Sequence, residues 1–335
     1  MKSKSVTYSY ASFVVLVLFT LLISSCGGKA SAPKDKVTMQ FAWFHQIEYT
    51  GFYVAVEKGF YADENIDVTL VAGGYDMDPI AEVIANRAQF GISRSVNMVI
   101  ARSKGQDIVA IGTVFRKSPW VAVSLKDAGI TNPQDLAGKT IGIEMGDPKY
   151  IENVQLMALF KKLNVDTSAI TYVSRDFADP IANDLQAGIA DIDAGLFATN
   201  DLVTAQMRGM DVNTIYYSDY GVDFYANLIF AKGLFITENP DLTARFVRAT
   251  LRGYQYALEN PDEAVAATLK YDEKLDAKVQ AAQMKAQIPL IDTGDQPISW
   301  MDENVWQNTV DILLAGGFIP SKVDVASLYT NKFIK

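Results

Sequence analysis

Hydrophobic positions are distributed in two ways along this chain. Near the N-terminus they form one unbroken run, "ASFVVLVLFTLLI", from Ala11 to Ile23, preceded by Lys2 and Lys4. From Val37 onward they fall instead into short apolar stretches alternating with longer segments of helical period. A run of thirteen is shorter than the roughly 20 apolar residues that span a bilayer, and it matches the core of an export signal. Residues 1–25 are therefore read as a signal peptide outside the fold, and 26–36, which contain "GGKASAPKDK", as a flexible tether.

Beyond the tether, "VTMQFAW" reads as a strand, 49–62 as a helix, "DVTLVAGG" as a strand, 79–88 as a helix, "FGIS" as a short strand, 96–105 as a helix, and "DIVAIGTVF" and "WVAVSL" as strands. This order predicts α/β architecture with mixed, mostly parallel sheets flanked by helices. The turn-rich segment 126–139 breaks the rhythm, which restarts at "TIGIEMGD". The restart is visible in the letters: "DPIAEVIANRAQFGI" at Asp78 and "DPIANDLQAGIADID" at Asp179 share their first four residues. Each is followed by a helix ending in a basic residue and glycine, "ARSKG" or "AQMRG". A duplicated α/β unit, and hence two lobes, follows. The boundaries are set at 37–127 plus 228–335 for lobe 1 and 128–227 for lobe 2. The remainder from 238 is mainly helical, with two Asn-Pro breaks, and its Trp300 and Trp306 are assigned to packing.

Composition narrows the chemistry. The chain has 335 residues, 49% hydrophobic and 21% charged, with a formal charge of −9. Removing residues 1–25 takes away Lys2 and Lys4 and leaves −11, a surface that repels phosphate backbones, so nucleic acid is not an expected partner. Cys26 is the sole cysteine, which leaves no disulfide, cysteine-based zinc site or thiol nucleophile in the domain. The sequence "LISSC" resembles a bacterial lipobox, and that resemblance implies lipidation of Cys26. His45 is the sole histidine. Without cysteines or a His-Glu pair beside it, no metal site is expected, and no cofactor is assigned.

Three segments, "TGFYVAVEKGFYADENIDVTLVAGG", "SPWVAVSLKDAGITNPQDLAGKTIGI" and "DYGVDFYANLIF", together resemble the NMT1/THI5-like group of solute-binding proteins. That group includes formylaminopyrimidine-binding proteins of thiamine-precursor importers and a riboflavin-binding relative. The resemblance implies a two-lobed periplasmic-binding-protein fold of type II, with a ligand in the interlobe cleft and delivery to an ABC permease and its ATPase. It also implies a non-enzymatic protein, expected to be monomeric, and the lipobox-like sequence implies that the lipid on Cys26 holds it outside the cytoplasm on the cell membrane. In open parallel sheets ligands sit beyond the carboxyl ends of the strands, so candidates are sought there.

Trp43 and His45 follow the first strand, and Tyr49 and Tyr53 share one helix face, either buried together or turned to the cleft. Related pyrimidine binders have histidine at the position of Tyr49, and here His45 stands four places earlier. Ser95 is a candidate N-cap, for its helix alone or for a ligand oxygen. Arg116 and Trp120 follow the next strand, with Trp120 alternatively a core residue. In the second lobe Met145, Gly146 and Tyr150 lie where a strand ends and a helix starts, while Thr199 and Asn200 occupy the place corresponding to Ser95. Asn227 stands where pyrimidine-binding relatives resembling this stretch carry glutamate. It either satisfies neighbouring strands or offers a donor and an acceptor side by side, matching the imide edge of a flavin. Trp43, Tyr49, Trp120, Tyr150, Tyr220 and Tyr225 are more rings than one pyrimidine needs, and this favours riboflavin over formylaminopyrimidine, the alternative. An enzyme like the fungal pyrimidine synthases, which carry a cysteine-rich iron motif absent here, and a sensor domain are the remaining readings. Closure is expected about a hinge near 124–138 and 222–232.

Overall fold

The computed structural model describes residues 33–176 and 178–334. The expected signal peptide, Cys26 and most of the tether lie outside the described residues. Among the described residues, ten strands form two five-stranded sheets. The first contains β1 (Asp35–Gln40), β2 (Ile66–Val71), β3 (Phe90–Ser93), β4 (Ile108–Thr113) and β10 (Leu228–Lys232), in the order β2-β1-β3-β10-β4. The second contains β5 (Trp120–Leu125), β6 (Thr140–Ile143), β7 (Thr171–Ser174), β8 (Ile192–Phe197) and β9 (Val212–Tyr216), in the order β7-β6-β8-β5-β9. Each sheet with its flanking helices is one lobe.

The duplication is visible in the pairing. β1 runs parallel to β2 and β3, and β6 parallel to β7 and β8. Each sheet also admits one antiparallel strand in the fourth place, β10 in the first and β5 in the second. The short helices Pro79–Ile84 and Ile181–Gln186, which start from the repeated "DPIA", precede β3 and β8 respectively. Asp78 caps the first of them by accepting from the backbone N–H of Ile80 and Ala81.

Strand exchange corrects the expected boundaries. β5 was assigned to lobe 1 by ending that lobe at 127, but its ladder partners are β8 and β9, so it belongs to the second sheet. The chain crosses between sheets at 114–119 and 217–227 instead of 124–138 and 222–232. The two crossovers are joined where the Val114 N–H donates to the Asn227 carbonyl at 2.8 Å. Hydrophobic period reports which face of a strand is buried, and not which sheet it joins.

The helix expected over 49–62 is also divided. A 3-10 turn, Ile47–Tyr49, leads into Thr50–Glu57, and Gly59 in a left-handed conformation separates Phe60–Asp63. Thr50–Glu57 packs closely on the long C-terminal helix Pro240–Glu259. A Cβ on Gly51 would lie 2.2 Å from the Tyr254 ring, and one on Gly253 2.0 Å from the Gly51 carbonyl oxygen, so both glycines are required for this contact. The Tyr254 hydroxyl, brought in by that approach, donates to the Glu48 carbonyl at 3.0 Å. Trp306 is buried against Tyr225 and Tyr329. Among the described residues no helix is long and apolar enough to cross a membrane.

Candidate functional site

A cavity of about 150 Å³ opens between the two sheets. From lobe 1 it is lined by the loop after β1, contributing Trp43, Gln46, Glu48 and Tyr49, and by Arg94 after β3. Lobe 2 supplies Trp120 at the start of β5, Glu144 after β6, Arg175 and Asp176 after β7, and Phe197, Asn200 and Asp201 at the end of β8. Asn227, on the second crossover, closes one side. Parallel strands bring their carboxyl ends to one edge, which explains why residues so distant in sequence meet here.

The aromatic walls are held from behind. Tyr49 lies flat against Phe41, with ring centroids 4.2 Å apart and planes within 6°. Trp120 meets Phe197 edge-on at 4.5 Å, and the Arg94 guanidinium sits 4.9 Å from the Trp120 ring centroid. Trp43 contacts Tyr75 and Phe44 edge-on at 5.0 and 5.3 Å. Such contacts fix the planes of the rings at the cavity wall.

The polar lining is dense. Asn227 donates from Nδ2 to Glu48 Oε2 at 3.1 Å, and Gln46 and Tyr49 also hydrogen-bond this carboxylate. Burial pushes the Glu48 carboxyl up, an effect partly offset by those bonds and by the positive charge of Arg94. Burial drives Arg94 the other way, lowering its pKa, and Glu152 of lobe 2 pairs with it. The same carboxylate accepts from Asn97 Nδ2 at 3.1 Å, so Glu152 bridges the lobes. Arg175 donates from Nη1 to the carbonyls of Ala194 and Gly195 at 2.6 and 2.7 Å, with Glu144 3.8 Å from Nη2. Burial also raises Asp201, which accepts from the Phe197 N–H at 2.8 Å.

Beneath this wall lies Asp193 on β8, fully buried, with neither carboxylate oxygen hydrogen-bonded. Gly142 makes room for it, since a Cβ there would lie 1.8 Å from Oδ1. Burial pushes the Asp193 carboxyl up to about 8, reinforced by the negative charge of Asp184. Among the described residues no group of three histidine, cysteine, aspartate or glutamate side chains is disposed to hold a metal ion.

Of the expected contacts, Trp43, Tyr49, Trp120, Asn200 and Asn227 come together at the cavity. Nine lie elsewhere. His45 turns into the lobe, with Nδ1 3.0 Å from the Tyr53 hydroxyl and its ring against Phe41 and Tyr271. Burial lowers its pKa, opposed by Asp272. Ser95 is fully buried, 3.4 Å from the Thr309 hydroxyl, and the N-cap position falls to Arg94, whose side chain does not cap. Arg116 braces the first crossover against the C-terminal segment, pairing with Asp302 at 3.0 Å and with Asp295. Met145 is 63% exposed and Tyr150 39%; Met145 and Gly146 both adopt left-handed backbone, φ 58° and 63°, which turns the chain aside. Thr199 is buried without reaching the cavity. Tyr220 packs on the core, and the Tyr225 hydroxyl accepts from the Asp302 N–H at 2.6 Å.

Gln46, Glu48, Glu144, Arg175 and Asp201 were not singled out from the sequence, because polar and charged residues near strand ends read as a solvated face. Proximity of Gln46 and Glu48 to the anticipated Tyr49 was the available signal.

Relatives that cover nearly the whole chain include two binding proteins and a synthase. The riboflavin-binding protein RibY of Chloroflexus aurantiacus is 25% identical, over 95% of this chain and 96% of the relative. The formylaminopyrimidine-binding protein of Halalkalibacterium halodurans is 24% identical, over 92% and 95%. A 4-amino-5-hydroxymethyl-2-methylpyrimidine phosphate synthase of Legionella pneumophila is 23% identical, over 91% and 94%. Among solved structures, the periplasmic aliphatic sulphonate binding protein SsuA of Escherichia coli superposes with a TM-score of 0.70 at 15% identity, over 90% of this chain and 99% of that one. The two-lobed architecture is thus that of periplasmic binding proteins. The model of the NMT1/THI5 like family matches residues 46–264, and the chain belongs to that family.

Proposed function

We propose that this protein is the solute-binding component of an ABC importer, holding a flat heteroaromatic ligand between its lobes and presenting it to a permease. The observation that carries this is the cavity itself: Trp43, Tyr49 and Trp120 line it with aromatic side chains, and Glu48 with Asn227 supplies a paired carboxylate and amide at its edge. Lipidation at Cys26 would keep the domain at the outer face of the cell membrane, which suits delivery to a permease.

Volume supports a one-ring ligand of the formylaminopyrimidine type over riboflavin. A cavity near 150 Å³ is the size that accommodates a single six-membered ring. The surplus of rings that favoured a tricyclic ligand also shrinks, because Tyr150, Tyr220 and Tyr225 lie outside the lining. Asn227 is already engaged by Glu48, and a carboxylate accepts well from an exocyclic amino group. Riboflavin remains the second reading, on the chain's similarity to RibY.

A synthase using a phosphorylated cofactor is disfavoured by the same lining. Arg94 is paired with Glu152, and Arg175 is committed to two carbonyls beside Glu144, so neither cation is reserved for a phosphate. Quenching of tryptophan fluorescence by titrated formylaminopyrimidine and riboflavin tests the proposal. Micromolar binding of the pyrimidine, tighter than the flavin, is expected; failure of both to bind below millimolar concentration sinks it.

A further inference from the structure

Helix Ala277–Ile291 carries three buried glutamines at positions 280, 283 and 287, one face of a helix whose neighbours are the loop after β1 and the helix Asp201–Met207 of lobe 2. Two of them enter a continuous run of side-chain amides. The Ile47 N–H donates to Gln280 Oε1 at 2.8 Å, Gln280 Nε2 donates to Gln283 Oε1 at 3.1 Å, and Gln283 Nε2 donates to Asn200 Oδ1. Asn200 Nδ2 then donates to Gln46 Oε1 at 3.5 Å, and Gln46 hydrogen-bonds the Glu48 carboxylate.

Such a run has a direction. A primary amide has one accepting end and one donating end, so fixing the first fixes every one that follows. Here a backbone N–H, which can only donate, stands at the start, and a carboxylate, which when ionised only accepts, stands at the finish. The four amides between them satisfy both ends in one sense only. Asn200 and Gln46 line the cavity, while Gln280 and Gln283 do not. Asn200 is the single member from lobe 2, so the run is complete only when the lobes are together.

We propose that Gln280 and Gln283 are positioning residues that set the orientation of the Asn200 and Gln46 amides, and thereby the pattern of donors and acceptors the closed cavity offers its ligand. The inference rests on the cavity being the ligand site. Its selectivity consequence is that ligands of one shape are ranked by their hydrogen-bonding edge through residues that never touch them.

The decisive variant is Gln283→Glu, whose carboxylate still accepts from Gln280 but cannot donate to Asn200. Asn200 and then Gln46 must turn over, placing the Gln46 oxygen against Glu48. Two ring probes of equal shape, 4-amino-2-methylpyrimidine and 2-methyl-4(3H)-pyrimidinone, present different donor and acceptor edges. The ratio of their dissociation constants is expected to change at least about tenfold in Q283E, the size of a misplaced hydrogen bond. An unchanged ratio, with both affinities reduced equally, would assign Gln283 a merely structural role and overturn the proposal. A ligand-free measurement keeps this separable from the identity of the solute. Carboxyl ¹³C NMR of Glu48 in the unliganded protein is expected to show its titration midpoint rising by about one pH unit in Q283E, because the donation from Gln46 is lost. A midpoint equal to wild type in the folded variant refutes the run even if neither probe binds. Gln287→Met, which removes the bond to the Ile47 carbonyl without breaking the run, is expected to leave both readouts unchanged.

Discussion

Behind its cavity wall lobe 1 places Phe41, stacked on the lining Tyr49, whereas lobe 2 places Asp193 with no hydrogen bond to either oxygen. The two lobes repeat one order of elements and one strand order, so the contrast comes from side chains alone. Lobe 1 backs its side of the cavity with stacked rings, and its buried carboxylate, Glu48, is hydrogen-bonded by Asn227. Lobe 2 is built on buried charge: Arg175 spends its guanidinium on backbone carbonyls, and Asp193 and Asp201 are desolvated around it. Duplicated backbones therefore do not imply duplicated responses to pH or salt.

The sharpest way to break that contrast is Asp193→Asn. In the fold this carboxyl keeps its proton to about pH 8, whereas the unfolded chain releases it near pH 4. The native state thus binds more protons across that window, and stability falls as pH rises through it, by at most about 1.4 kcal/mol per pH unit, then levels above pH 8. The variant removes this slope and is expected to be more stable than wild type by a few kcal/mol at pH 8. Denaturant unfolding at several pH values checks it; parallel curves for both proteins would show that Asp193 is solvated.

A smaller effect is expected where the lobes meet. Glu152 reaches from lobe 2 to Arg94 and Asn97 of lobe 1 without lining the cavity. Glu152→Gln removes the ionic bridge and is expected to weaken ligand binding roughly tenfold, mainly through faster release, while ligand ranking stays as it was. Stopped-flow binding at low and high salt measures this, and a changed ranking would place Glu152 in contact with ligand.

Smallest is the effect of His45→Gln in lobe 1. Ligand affinity is expected to stay within about twofold of wild type, the margin of a substitution away from the contact surface. Burial holds the folded imidazole below its ordinary pKa, so its contribution is present above about pH 6.5 and declines as pH falls below that value. Thermal unfolding between pH 5 and 7.5 should show that decline in wild type and not in the variant. A large loss of affinity would return His45 to the cleft.

Much of the frame was legible from period and punctuation. The strands "FGIS" and "WVAVSL" stand where alternation placed them, and the paired "DPIA" segments occupy equivalent positions in the two lobes. Trp43, Tyr49, Trp120, Asn200 and Asn227 were reachable because each follows or borders a strand end. Ser95, Thr199 and Tyr225 obey the same rule yet face inward, since a strand end specifies location and not side-chain direction. The amide run was out of reach through distance, as Ile47 and Gln280 are more than two hundred positions apart. A trace of it was present in the glutamines at 280, 283 and 287, one helix face that is polar where burial calls for apolar residues.

By itself the sequence determined the local elements, the repeat, and which strand ends carry aromatic and amide side chains, because hydrophobic period and capping chemistry act over a few residues. Tertiary structure alone decided that β5 joins the second sheet, that Glu152 joins Arg94, and that Gln283 donates to Asn200. These depend on contacts closed over long loops, where pairing is selected by the packing of the whole fold and no short pattern carries the information.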